Sequence, residues 1–558
     1  MSGMAHVADF SRSASAWVGA GSKGFDLIRI YAIGAVVAFF FLWVGNIWVE
    51  PGSVDYINIA QAMLSGTDLR DNPPNGFSGR DIGVALIWIA SGFPLTGSLT
   101  GFIIIQVAMG LAIPLFCYLA IRPWFPKTAY YTSIAAILSL SPILLSKYIH
   151  HDQPYIFFTV MSLYFVNKYV FTRDSRYVYL LMISVFAVGI TRQAGWGLFW
   201  VLMPICLFFG GPKSYKHVIL ACLIFVGAGF LNSKYRYSLM GEVGVPGVQI
   251  FQNLYVNTSE FGVRLSADMG PNVRLILERM YECSLPSPAE SKYVKKLKNF
   301  NMPPDFIQEQ FSDYSASELV ERIATKSHLG YASYIMDSGC LAASPAALGQ
   351  VLLSASFEIA KSQPTYVVRL FLRNSLRLLY NPGWLHNTFG TEPQFQGGLL
   401  FPFGDNTTAQ EGGNIGDPRL PELAFREASF IPLERQPAFI TFYYQIYDVW
   451  YRSYHPITII LGSLSGVTWI LMVIGLLQRA VSSRTVLPLP ARVAEAASGP
   501  TVLLLANVAI TAIADEPRYR YDFSLLMLKF TVAGIGCAIV IQLIMNLIEF
   551  WRIRFARR

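Results

Sequence analysis

Read as alternating apolar and polar stretches, the chain repeats one unit, an apolar run followed by a short polar interval. A helix needs ~20 apolar residues to cross the hydrocarbon core of a bilayer. Runs of that kind fall near 27–48, 100–121, 129–148, 153–169, 177–191, 194–210, 216–232, 456–478, 499–514 and 523–550, the fifth and ninth being short. The pattern predicts an all-α polytopic membrane bundle of about ten transmembrane helices, interrupted once. Residues 233–455 carry no spanning run and hold clusters such as Gly412-Gly413-Asn414, so they read as one large domain of mixed or α-rich structure outside the bilayer. Within it, 364–381 (PTYVVRLFLRNSLRLLYN) sets Arg369, Arg373 and Arg377 on one helical face, beside an apolar stripe of Val368, Leu372, Leu376 and Leu379. A helix of that kind lies in the membrane interface instead of crossing it. Residues 438–454 are dense in Tyr, Phe and Trp, as expected at headgroup level before the next crossing.

Composition agrees with a lipid solvent. Only 14% of the 558 residues are charged and 53% are apolar, against ~25% charged in soluble globular chains. The net charge of +8 does not signal a nucleic-acid partner, because the basic residues are scattered between apolar spans. They serve as topology signals instead. With the N-terminus inside, the inner segments hold sixteen Lys and Arg and the short outer segments six, which puts both termini in the cytoplasm. The expected layout is a cytoplasmic segment 1–26, seven crossings in 27–232 with a first outer loop at 49–99, the extracytoplasmic domain 233–455, three crossings in 456–550 and a basic cytoplasmic tail 551–558. The first 24 residues are small and polar, so the first apolar run reads as an uncleaved helix. Cys117, Cys206, Cys222 and Cys537 fall inside spans and read as core fillers, whereas Cys283 and Cys340 could pair if the large domain faces an oxidising compartment.

Ionisable residues at the ends of crossings are costly to hold and often functional. Five polar clusters fall on the outer side. In VEPGSVDYINIAQAMLSG, Asp55 beside Tyr56 is placed either to N-cap the short amphipathic run that follows or to accept a proton from an attacking hydroxyl. In GFSGRDIG, Arg80 offers a fork of donors suited to phosphate, or pairs with Asp81. SKYIHHDQPY crowds Lys147, His150, His151 and Asp152 between the third and fourth crossings. Adjacent histidines point apart on a helix and no further ligand stands at suitable spacing, so a divalent metal is not favoured and no cofactor is implied. Arg192, on the outer turn TRQAGWG, either has an anionic partner or snorkels to the interface. Finally, ADEPRYRYDFSLL groups Glu516, Arg518, Arg520 and Asp522, as an ion-paired cap on the last helix or as a headgroup-binding rim.

The order of these motifs resembles the GT-C superfamily of membrane glycosyltransferases, particularly the branch of protein O-mannosyltransferases and lipid A aminoarabinose transferases. The matching elements are DYINIAQAMLSG in the first outer loop, the Gly-Arg element before the second crossing, HHDQPY, TRQAG, and EPRYRY before the last helix. The likeness covers 25–235 well and 455–550 loosely. It implies transfer of a sugar from a polyprenyl-phosphate-linked donor to a glycan, lipid or protein acceptor, on the periplasmic side of a bacterial inner membrane. It implies Asp55 as general base and Asp152 as a site residue. Arg192, Arg80 and Lys147, with Arg518 and Arg520, would hold the donor phosphate, and Tyr56, His150, His151 and Glu516 would line the site. The sequence departs from the family in carrying Tyr56 where many relatives have Glu after the loop Asp, which favours a metal-independent reaction. The domain at 233–455 matches no familiar module, so the acceptor is not legible. The alternatives are a polymerase or ligase using a lipid-diphosphate donor, and a lipid-sugar flippase. A transporter is expected to show repeats or charges inside the spans, and the spans read as carrying neither.

Overall fold

The computed structural model describes residues 23–44, 48–49, 51–69, 81–149, 152–241, 254, 265–284, 345–380, 456–477, 493–514 and 519–556. Helices dominate them. Each of the expected crossings falls on one: α1 (Lys23–Val44), α4 (Thr100–Ile121), α5 (Pro126–Leu138), α6 (Asp152–Thr172), α7 (Arg176–Thr191), α8 (Trp196–Gly210), α9 (Tyr215–Met240), α13 (Pro456–Leu477), α14 (Val493–Ala514) and α15 (Tyr519–Ala556). Between them stand α2 (Pro51–Ser65) and α3 (Ile82–Ala90), and in the large insertion α10 (Pro271–Ser284), α11 (Pro345–Ser362) and α12 (Pro364–Tyr380). Among the described residues, five helices are long and apolar enough to cross a membrane: Thr100–Ile121, Tyr215–Met240, Pro456–Leu477, Val493–Ala512 and Leu525–Glu549. The apolar helices α7 and α8 are shorter. The aromatic stretch 438–454 and Cys340 lie outside the described residues. Cys117 and Cys206 are buried, as core fillers are.

Several boundaries differ from the hydropathy reading, among them those of the third, seventh and ninth crossings. The third crossing does not run to 148: α5 stops at Leu138, the Ser139 hydroxyl donates to the Ala136 carbonyl at 2.7 Å, and Leu140 turns to φ 59°. After Leu140 the chain makes one helical turn over Ser141–Leu144 and a tighter one over Leu145–Lys147, then enters the strand β2 (Tyr148–Ile149). The seventh crossing runs past 232 to Met240, because Arg236 in its last turns is buried and paired. The ninth begins at Val493, with Pro500 in its first half.

Polar and close contacts give the bundle its directions. Tyr155 at the start of α6 bonds Asn507 near the end of α14, while a Cβ on Gly499 would strike Asn167 further along α6. These two helices are therefore antiparallel. Gly475 of α13 lies against Ala494 of α14, so those two are antiparallel as well. The end holding Asp152, Ala514 and Pro456 is termed the upper end here, and the end holding Arg122 and Thr172 the lower.

One buried cluster joins α1, α4, α5, α13 and α15 through Ile30, Ile113, Ile137, Leu461 and Leu526. A second gathers α6 to α9 with α14 through Leu163, Val185, Leu202, Phe225 and Leu503. A third sits at the upper end, where Ile59 of α2 and Trp88 of α3 pack with Phe102 of α4 and Met240 of α9. The Trp88 and Phe102 rings stack at 4.1 Å. This last cluster fixes α2, the helix that carries Asp55.

Candidate functional site

The upper end is assembled by one small sheet. Trp48 and Val49 form β1, which pairs in parallel with β2, Trp48 opposite Tyr148 and Val49 opposite Ile149. A parallel pair cannot be made by a hairpin, so it ties together two loops about a hundred positions apart in sequence. Asp55 follows β1 closely and Asp152 follows β2. The loop before β2 is fastened from below: the Gln153 amide donates to the Pro142 carbonyl at 3.0 Å, and the Ser146 hydroxyl to the same carbonyl at 2.9 Å.

Asp55 is not a helix cap. Helix α2 begins at Pro51 with no acidic residue in its first turn, so Asp55 stands in the helix body. Its side chain is buried, 6% exposed, beside the equally buried Tyr56. The capping alternative is thereby removed. Asp152 does begin its helix, in the first turn of α6, and is fully buried. There its carboxylate meets the positive end of the helix dipole.

Asp81 holds the next element. It occupies the N-cap position of α3 yet makes no side-chain cap bond. Its carboxylate reaches across the fold instead, accepting from Arg236 Nη1 at 2.7 Å and from the Gln193 backbone N–H at 3.0 Å. Arg236 is 0% exposed. One carboxylate thus pins α3, the end of α9 and the turn after α7. That turn carries Arg192, half-buried, with its guanidinium carbon 5.2 Å from the centre of the Tyr155 ring. A cation over an aromatic face is held by the ring quadrupole, so Arg192 is neither loose nor simply snorkelling. The glycine of TRQAG has a packing reason: a Cβ on Gly195 would stand 2.5 Å from Val188 Cγ1. Beneath Arg192, the Tyr155 hydroxyl donates to Asn507 Oδ1, which links the site to α14.

Of the residues expected at the site, the structure brings Asp55, Tyr56, Asp152 and Arg192 to the upper end. Arg80, His150, His151, Glu516 and Arg518 lie outside the described residues. Lys147 closes the short turn before β2 and Arg520 is in the first turn of α15, at the level of the backbone. Three residues escaped the sequence reading. Arg236 sits in KYRY just past an apolar run and looks like a flanking charge. Asn507 is hidden in an apolar helix. Lys529 lies inside the last span and is fully buried, so the expectation of no charge inside a span is corrected.

Neither a protein-family model nor a curated protein sequence matches the chain. Among solved structures it is similar to the crystal structure of ArnT from Cupriavidus metallidurans in the apo state, at 12% identity and a TM-score of 0.32, over 94% of this chain and 78% of that one. A superposition that loose assigns no residue of this chain a role.

Proposed function

We propose that this chain is a membrane glycosyltransferase of the GT-C kind, which moves a sugar from a polyprenyl-phosphate-linked donor to an acceptor on the non-cytoplasmic side. The observation that carries the reading is that one end of the bundle holds two buried carboxylates, one in α2 and one at the start of α6, and a half-buried arginine on the turn after α7. Burying a carboxylate in the body of a helix costs stability and is kept where it serves chemistry.

In this reading the acceptor hydroxyl approaches Asp55. Its oxygen attacks the anomeric carbon while its proton passes to the Asp55 carboxylate. The bond between that carbon and the phosphate oxygen breaks, and the polyprenyl phosphate leaves with the bonding electron pair. Arg192 stabilises the charge that gathers on the leaving phosphate, assisted by Arg80, Lys147, Arg518 and Arg520. Asp152 orients the acceptor from the other side, with Tyr56, His150, His151 and Glu516 around it. The deciding experiment incubates purified protein with a polyprenyl-phosphate sugar and follows release of polyprenyl phosphate. Release that depends on Asp55 supports the reading. Turnover only of a lipid-diphosphate donor would replace it with the polymerase reading, and movement of the lipid without cleavage would replace it with transport.

A further inference from the structure

Helix α12 presents three rows of side chains, each made of positions four apart. Leu370, Asn374 and Leu378 are buried against the bundle. Val368, Leu372 and Leu376 are 56%, 52% and 55% exposed. Arg369 and Arg377 are exposed and Arg373 between them is half-buried. At 3.6 residues per turn, successive positions lie about 100° apart round the axis. The exposed apolar row, two positions before the buried one, therefore points away from the protein, and the arginine row lies on the flank between them.

The helix docks near the ends of two spans. The Asn374 amide reaches the Ala512 carbonyl at 3.5 Å, two positions from the end of α14. At its own C-terminus, the Leu379 carbonyl lies 2.6 Å from where a Cβ on Gly462 would stand, and the Tyr380 hydroxyl 3.2 Å from that of Gly466. Those glycines are six and ten positions into α13, about 9 and 15 Å along its axis at 1.5 Å per residue. The apolar row thus faces outward beside the end of α14 and the upper half of α13, with guanidinium groups beside it.

We infer that α12 is a docking surface for anionic phospholipid: Val368, Leu372 and Leu376 enter the acyl region while Arg369 and Arg377 hold headgroup phosphates. An apolar row alone would fit any hydrophobic partner. The flanking arginines, carried on a helix that docks against the end of α14 and the upper half of α13, select an anionic bilayer surface. Unlike a free amphipathic helix, α12 is fixed to α13 and α14 by its opposite face. It therefore ties the upper end of the bundle, which α14 joins to Tyr155, to the charge of the surrounding lipid.

The test uses the full chain in mixed micelles of phosphatidylcholine and phosphatidylglycerol, with retained lipid counted by native mass spectrometry. Wild-type protein should retain phosphatidylglycerol preferentially. R369Q/R377Q should lower that preference by about twenty- to thirty-fold, since one cation near an anionic surface is worth about fivefold, and R369K/R377K should keep most of it. A second measurement places a fluorophore at Leu372→Cys and reads quenching by chain-brominated lipid in reconstituted vesicles. Quenching is expected. No quenching would mean that protein covers this face and would overturn the inference. So would equal retention of the two lipids by wild-type protein, or retention of added polyprenyl phosphate in place of phosphatidylglycerol.

Discussion

The two ends of the bundle handle charge in opposite ways. At the lower end, charged groups pair where they stay in reach of water. Asp174 pairs with Arg176 two positions away, at 2.7 Å, with the arginine side chain 86% exposed. Arg173 meets Glu495 at 2.6 Å, both partly exposed. Asp26 accepts from the Tyr118 hydroxyl, which in turn accepts from Arg122 Nε. At the upper end, Asp81 meets Arg236 with both buried, and Asp55 and Asp152 are buried as well. Surface pairs contribute ~0–1 kcal/mol, whereas each ion taken out of water costs several. The lower end is what a topology signal requires. The upper end holds charge where stability alone would not put it.

The largest effect expected from this difference is on turnover. Asp55→Asn keeps the shape of the side chain and removes its basicity, so the protein should fold and bind donor while turnover falls by a factor on the order of 10²–10⁴. Rate and donor affinity must be measured separately on purified protein. Arg192→Ala should act the other way, with donor affinity lost first. Full activity in a folded Asp55→Asn protein would make the buried carboxylate structural and remove the contrast between the ends.

Next comes stability at the ion pair that spans the upper end. Asp81→Asn leaves Arg236 buried with a weaker partner, and breaking a buried pair costs ~3–5 kcal/mol. The double change Asp81→Asn with Arg236→Met removes both charges and should recover a large part of the loss. Denaturation of the four proteins in one detergent gives the coupling between the two positions. Hydrogen exchange at the Gln193 amide adds a local reading, since it should speed up when Asp81 no longer accepts from it. Independent, additive losses would show that the pair is not the clamp the 2.7 Å contact describes.

How far the sequence revealed this depended on the range of the interaction. Apolar runs mark helices by themselves: a helix lies over each expected run in whole or in part, and among the described residues five are long and apolar enough to cross a membrane. Boundaries moved where local structure overruled hydropathy: the turn at Ser139 and Leu140 shortened one helix, and the buried charge of Arg236 lengthened another. At the site, Asp55, Asp152 and Arg192 were legible because polar residues stand out at the ends of apolar runs. The parallel pairing of Trp48 with Tyr148 was not, since two-residue strands carry no pattern of their own. The partner of Asp81 was equally hidden: Arg80 is adjacent in sequence, while Arg236 is adjacent only in the fold.

A smaller effect belongs to the lower end. Glu495→Gln removes the negative charge that Arg173 pairs with; the Arg173 backbone sits at φ 59°, a conformation that favours glycine. The pair is partly exposed, so its loss should cost ~0.5–1 kcal/mol. Arg173→Gly loses the pair and relieves the backbone, so it should cost less than removing the pair at Glu495. A larger loss for the glycine variant, in the same denaturation assay, would show that the arginine is held for more than its charge.

The smallest effect sharpens the comparison most, because it is a matter of sign and screening. The Arg176 side chain, hydrogen-bonded to Asp174, holds that carboxyl below its ordinary value of 3.8. A carboxyl depressed in the folded state contributes stability above its unfolded pKa and loses it as pH falls through the lower, folded value. Asp174→Asn should therefore matter only above that window and merge with wild type in acid. Because the pair stands in water, the difference should be visible at low ionic strength and vanish at physiological salt. The Asp81 variants should respond little to salt, since their charges are buried. Melting curves of both variants across pH and salt test the contrast directly. A salt-resistant loss at Asp174 as large as that at Asp81 would mean that the lower end, too, holds its charges for a purpose beyond orientation in the membrane.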